Sequence, residues 1–224
     1  LDAYEQTILA APQQRLHTDP VVHAYAITAR RCGFHREHLV AFFSSMRADL
    51  TQREYSPSEL QAYIYGSAEA IGLLCLQIFL AEEDVSPADR AAMERGARAL
   101  GSAFQKINFL RDLSEDSSTL GRTYFQQVQS GRIDEATKSA LIAEIRRELA
   151  TAALTIDLLP ASARVGVSAA ADIFAELTNR LAATPATALA TTRVSVPNHT
   201  KAWLAARAVR RRGHSSQTSA TAEN

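Results

Sequence analysis

The chain has 224 residues, 46% apolar and 21% charged, which is enough to bury a core in one large domain or two small ones. Forty-one alanines against 9 glycines and 7 prolines favour an all-α fold, because alanine is the strongest helix former, and exclude collagen-like, disulfide-rich and wholly disordered classes. Lysine plus arginine equals aspartate plus glutamate at 24 each, so there is no general basic field for nucleic acid.

The first predicted helix covers residues 2–11 and stops near Pro12. Asp19 and Pro20 supply an N-cap and first-turn proline for a second helix, which Gly33 ends. Residues 36–50 form a third, with Leu39, Phe42, Phe43, Met46 and Leu50 near one side. His35 and His38 share a turn there without an obvious third ligand and read as surface residues. The run Ser56-Pro57-Ser58-Glu59 opens a long apolar helix to about Leu80. Ser86-Pro87-Ala88-Asp89 opens the next, running to about Asp116. Residues 117–133 read as loop, broken by Gly121 and Gly131. Helices at 134–158 and 161–182 follow, separated at Pro160. Pro185 and Pro197 bracket a short segment, residues 201–211 form a last helix, and residues 215–224 are polar and expected to be disordered.

Charge and cysteine usage narrow the setting. From Arg193 onward there are six basic residues and one acidic, so that end is +5 and the rest −5. Such an end suits an anionic ligand or surface, although Arg210, Arg211 and Arg212 read first as a solubilising tail. The longest apolar run, residues 70–81, is interrupted by Gln77 and falls short of the roughly 20 residues a spanning helix needs. Cys32 and Cys75 belong to no CxxC pair, which fits a reducing cytoplasm. The basic end is compatible with peripheral attachment to a membrane.

The residues that can carry chemistry cluster on the helix before the loop. Gln105, Asn108, Asp112 and Asp116 are spaced three, four and four apart and form one polar stripe; Leu100 and Phe104 continue it backward as apolar residues. One helical face therefore changes from greasy to carboxylate-rich, as suits a long apolar ligand with an anionic head held through a divalent cation. Two aspartates at i,i+4 repel each other, and oxygen donors of this type suit Mg²⁺ bridged to phosphates. The plainer alternative is a solvated acidic helix end paired to Arg111 and Arg122. A second stripe, Tyr63, Ser67, Ile71, Cys75 and Phe79, lines one face of the long apolar helix; alone it reads as core. Gly66 and Gly72 permit close approach of a helix or ligand. Glu69 is out of place there and either pairs with a cation or faces solvent. No GxSxG, Walker, GxGxxG or HExxH pattern is present.

Together these segments resemble the squalene/phytoene synthase family of head-to-head prenyl transferases, in its phytoene synthase branch. The family's second aspartate-rich motif, G-x-A-x-Q-x-x-N-x-x-R-D-x-x-E-D followed by G-R-x-Y, is matched by Gly101, Ala103, Gln105, Asn108, Arg111, Asp112, Glu115, Asp116, Gly121, Arg122 and Tyr124. The run from Tyr63 to Leu73, Met46 to Leu50, Leu158 to Pro160 and Arg193 to Pro197 are similar to the family as well. The resemblance covers about residues 1–205 and leaves residues 206–224 as a basic, then polar tail.

The resemblance implies a single all-α domain around a central cavity. It implies condensation of two geranylgeranyl diphosphates, through prephytoene diphosphate, to phytoene. It implies Mg²⁺ or Mn²⁺ as cofactor, with Asp112 and Asp116 as metal ligands and catalytic residues. Tyr63 would lie near the reacting carbons. Gln105 and Asn108 would contact diphosphate or metal-bound water, and Arg111, Arg122, Arg193 and Lys201 would meet phosphate charge. Ser67, Ile71, Leu100 and Phe104 would line the chain pocket. Asp49 would face the cavity, its role unassigned. The family's first aspartate-rich motif is absent and is expected upstream of Leu1, with the N-terminal helices that carry it. Asp172 and Glu176 have similar spacing but sit in a later helix. The alternatives are a squalene or dehydrosqualene synthase using farnesyl diphosphate, and a non-catalytic member acting as an assembly factor or subunit.

Overall fold

The computed structural model describes residues 1–113 and 133–220, with the side chains of 212–220 excepted. Ten α-helices are present among them, and no β-strand. They are α1 (Asp2–Ala10), α2 (Pro20–Cys32), α3 (Arg36–Thr51), α4 (Pro57–Ile64), α5 (Ala70–Phe79), α6 (Pro87–Arg111), α7 (Glu135–Ile156), α8 (Ala161–Ala183), α9 (Ala186–Leu189) and α10 (Asn198–Ala220). A 3₁₀ turn at Ala11–Gln13 follows α1, and a π-helical segment at Tyr65–Glu69 joins α4 to α5. Most of the loop expected at 117–133 lies outside the described residues.

The helix starts follow their side chains. The Asp19 carboxylate accepts from the amides of Val21 and Val22. Ser56 and Glu59 form a reciprocal capping box ahead of α4, and Ser86 and Asp134 cap α6 and α7. Gly33 closes α2 in the left-handed region at φ 64°. The last helix runs on to Ala220, beyond the expected 211 and into the segment expected to be disordered.

The 25-residue α6 is the spine. Its Ala103, Ile107 and Leu110 are wholly buried in one apolar cluster with Ile145 of α7, Leu181 of α8 and Leu189 of α9. Each such aliphatic side chain contributes about 1.5–3 kcal/mol when fully buried. Lys106 is buried on the same spine and is held at 2.6 Å by Glu144 and 2.5 Å by Glu148, to which Ser102 also donates. Burial works against its charge, but these carboxylates outweigh it and raise the Lys106 pKa.

The stretch Pro57–Phe79 is long and apolar enough to cross a membrane by length and composition, more so than the apolar run in the sequence suggests. Here it packs into the bundle, burying Tyr63, Ile64, Leu73, Leu74 and Leu76. Its π segment lets α3 approach closely: a Cβ on Gly66 would stand 2.1 Å from the Ala41 carbonyl oxygen. Gly72 likewise faces the Ala97 carbonyl of α6, so both glycines admit a helix. Glu69 pairs with Arg98 at 2.7 Å. His38 is a correction to the sequence reading: it is buried, with Nδ1 3.0 Å from the Tyr65 hydroxyl, and burial lowers its pKa.

Candidate active site

A largely apolar cavity of about 540 Å³ lies between α5 and its π segment, α6, α7 and α8. Ser67, Ile71, Leu100 and Phe104, the four residues expected in a chain pocket, all line it. Cys75, Phe79, Met93 and Ile156 extend the wall, and Gly166, Val167 and Ala170 close it from α8. The Ser67 hydroxyl is turned back on the Tyr63 carbonyl at 2.7 Å, so it presents little polarity to the cavity. Phe104 stacks on Phe174 of α8 with centroids 3.8 Å apart, fixing one ring of the wall.

One turn beyond Phe104 the same helix face becomes polar. Gln105 and Asn108 are half-buried, and the Asn108 Oδ1 atom is buried without a hydrogen-bond partner among the described residues. An amide oxygen left without a partner in a folded interior costs about 1–3 kcal/mol, so this acceptor is available to a further group. Asp112 ends the helix. Its carboxylate accepts from Arg111 Nε at 2.9 Å and forms an ion pair with Arg193 Nε at 2.9 Å, the latter reaching in from the segment before α10. Asp112 Oδ1 and Oδ2 are thus matched by two guanidinium groups, both of which were expected to meet phosphate. Asp116 and Arg122 lie outside the described residues. Lys201 is exposed on α10, and no described contact joins it to Asp112.

Tyr63 is not in the cavity wall. It is buried between Tyr55 and Phe109, at centroid distances of 5.1 and 6.1 Å, and its hydroxyl donates to Asp49 Oδ1 at 2.9 Å. That bond gives Asp49 the partner the sequence left unassigned. Asp172 and Glu176, on α8, are paired with arginines as Asp112 is: Arg207 and Arg211 hold Asp172 at 3.2 and 3.3 Å, and Arg180 holds Glu176 at 2.7 Å.

An apolar cavity walled by the helix that carries an amide-and-carboxylate end is the arrangement on which the comparisons bear. Residues 1–200 match the family described as Squalene/phytoene synthase. The chain belongs to the squalene/phytoene synthase family. Phytoene synthase 3, chloroplastic, of Zea mays is 43% identical over 86 residues, 37% of this chain and 19% of that protein. The bifunctional lycopene cyclase/phytoene synthase of Blakeslea trispora is 29% identical over 136 residues, 53% of this chain and 22% of that protein. The matched region thus spans about a fifth of either relative. The crystal structure of a dehydrosqualene synthase in complex with ligand superposes with a TM-score of 0.74 at 19% identity, covering 92% of this chain and 76% of that one. That likeness establishes the helical isoprenoid-synthase fold for this family member.

Proposed function

We propose that this chain carries the chain-binding cavity and one metal-binding end of a phytoene synthase, which condenses two geranylgeranyl diphosphates head-to-head to phytoene. The observation that carries the reading is the change of character along one face of α6, from Leu100 and Phe104 in the cavity wall to Asn108 and Asp112 at its end. The likeness to the Zea mays phytoene synthase supports phytoene as the product.

Asp112, the orphaned Asn108 oxygen and Gln105 make a hard oxygen donor set that fits Mg²⁺ or Mn²⁺, with Asp116 as the further ligand. A cation held by these residues would supply positive charge to the departing diphosphate. The chain's own part begins at Arg111 and Arg193. Both pair with Asp112 here, and both would be released to meet diphosphate oxygens if that carboxylate held a cation. The apolar wall then keeps water from the allylic cation left behind. The Phe104 ring, fixed by its stack on Phe174, offers an aromatic face near that charge. Tyr63, held by Asp49, stands next to Phe109 one turn from the polar stripe, a position suited to orienting the second donor.

The protein would work in the cytoplasm, attached peripherally to a membrane. Trp203, 57% exposed on α10 with Arg207 stacked over it, and the exposed Lys201 and Arg210 support that placement. Incubating the chain with Mg²⁺ and either geranylgeranyl or farnesyl diphosphate, without a reductant, tests the activity by mass spectrometry of the extract. A C40 hydrocarbon from the C20 donor is expected. A C30 product made only from the C15 donor would replace the reading with a dehydrosqualene synthase, and binding without product would favour a non-catalytic subunit.

A further inference from the structure

Away from the cavity, three metal-ligating side chains converge where α2 turns into α3. His35 is the N-cap residue of α3, and Glu37 and His38 follow in its first turn. One ligand atom from each lies within 4.8 Å of the others. The imidazole rings stack with centroids 5.5 Å apart and planes inclined by 26°, and the Glu37 carboxylate is 3.9 Å from His35 Nδ1. His38 is not a loose surface ring. Its Nδ1 is engaged by the Tyr65 hydroxyl at 3.0 Å, so a metal ion would take Nε2 unless it displaced that bond. An imidazole fixed through one nitrogen by a second polar group is the usual environment of a metal-bound histidine. Tyr65 is itself held, with the Arg98 guanidinium 5.4 Å above its ring, and that cation is matched by Glu69 at 2.7 Å.

We propose that His35, Glu37 and His38 form a binding site for a divalent transition-metal ion of the Zn²⁺ class, completed by water. Two imidazoles and one carboxylate suit Zn²⁺, Ni²⁺ or Cu²⁺ and not Mg²⁺, so the site is chemically distinct from the oxygen-only end at Asp112. Free amides at the start of α3 and the Arg98 guanidinium oppose a cation there, while Glu37 and Glu94 act on His38 in its favour. The ion would tie the turn after Gly33 to α3. That helix packs on the π segment through Ala41 and Gly66 and presents Asp49 to Tyr63 near its far end. The site is therefore a clamp on the scaffold of the cavity, remote from its polar end.

The test uses the full chain freed of metal by a chelator. Zn²⁺ is titrated by calorimetry and Co²⁺ by visible absorption, in the wild type and in the His35→Ala, Glu37→Gln and Asp112→Asn variants. His35 and Glu37 are exposed, so their variants leave the fold intact, which circular dichroism verifies. The expected result is one ion per chain with a nitrogen-ligated Co²⁺ spectrum, unaffected by Asp112→Asn or by millimolar Mg²⁺. Affinity falls at least tenfold in His35→Ala and in Glu37→Gln, and the Zn²⁺-dependent rise in Tm disappears with it. Equal Zn²⁺ affinity in the wild type and His35→Ala, or binding lost in Asp112→Asn alone, or no nitrogen-ligated spectrum, overturns the proposal.

Discussion

Replacing Gly166 with leucine should shorten the donor the cavity accepts. Gly166 lines the cavity on α8, and a Cβ added there meets no atom within 4 Å, so the new side chain enters open space and not a neighbouring helix. It lies eight residues before Phe174, whose ring stacks on Phe104 beside the polar end. At 1.5 Å per residue that is about 12 Å deeper along the helix. Leucine occupies room for about four carbons, close to one isoprene unit of the C20 tail. At about 0.8 kcal/mol per methylene the displaced end loses about 3 kcal/mol of burial, or roughly two orders of magnitude in kcat/KM for geranylgeranyl diphosphate. The C15 donor, which ends short of the new side chain, should lose little. The assay is a paired-donor competition, with affinities of unreactive diphosphate analogues as a second readout. Gly166→Ala serves as the control and should raise stability by up to about 1 kcal/mol through helix propensity. A folded Gly166→Leu variant with an unchanged donor ratio would refute the placement of the chain in this cavity.

Other expectations follow from the bonds around the spine. Tyr63→Phe removes the hydroxyl bonded to Asp49 and should cost about 1–3 kcal/mol in turnover with helicity retained, measured as kcat and far-ultraviolet circular dichroism. Lys106→Met leaves Glu144 and Glu148 without their cation. The loss should be about 2–3 kcal/mol by urea unfolding, below the 3–5 typical of a fully buried pair because Glu144 is open to water. The same lysine predicts an alkaline limit. Its folded pKa is raised above the ordinary 10.5, so its contribution is whole below that value and disappears as pH rises through the folded one. Unfolding curves from pH 8 to pH 12 should show this slope in the wild type and a weaker one in Lys106→Met.

The parts of the fold set by local chemistry were legible in the sequence. Asp19, Ser56 and Ser86 start helices where their positions predicted, because a cap depends on residues two or three apart. The face of α6 was legible for the same reason, since 3.6-residue periodicity places Leu100, Phe104, Asn108 and Asp112 together without knowledge of any other helix. What escaped were pairings between distant segments. Arg193 on Asp112, Tyr63 on Asp49, and Glu148 on Lys106 each join residues from separate elements, and no local pattern announces them. His38 escaped because its burial comes from Tyr65 in the π segment, and a π turn has no sequence signature beyond a glycine at its point of closest approach. Asp172 and Glu176 repeat the spacing of a metal pair, and arginines hold them as they hold Asp112, so neither spacing nor pairing alone marks a metal site.

The proposed function requires one face of α6 to join an apolar chain pocket to a metal-dependent diphosphate end. Calorimetric titration of the chain with an unreactive thiolodiphosphate analogue of geranylgeranyl diphosphate, with and without Mg²⁺, tests it most directly. Binding should require both the C20 tail and the metal, and Asp112→Asn should weaken it at least tenfold while the far-ultraviolet spectrum stays the same. Equal affinity with and without Mg²⁺, or an Asp112→Asn variant that binds as the wild type does, would contradict it.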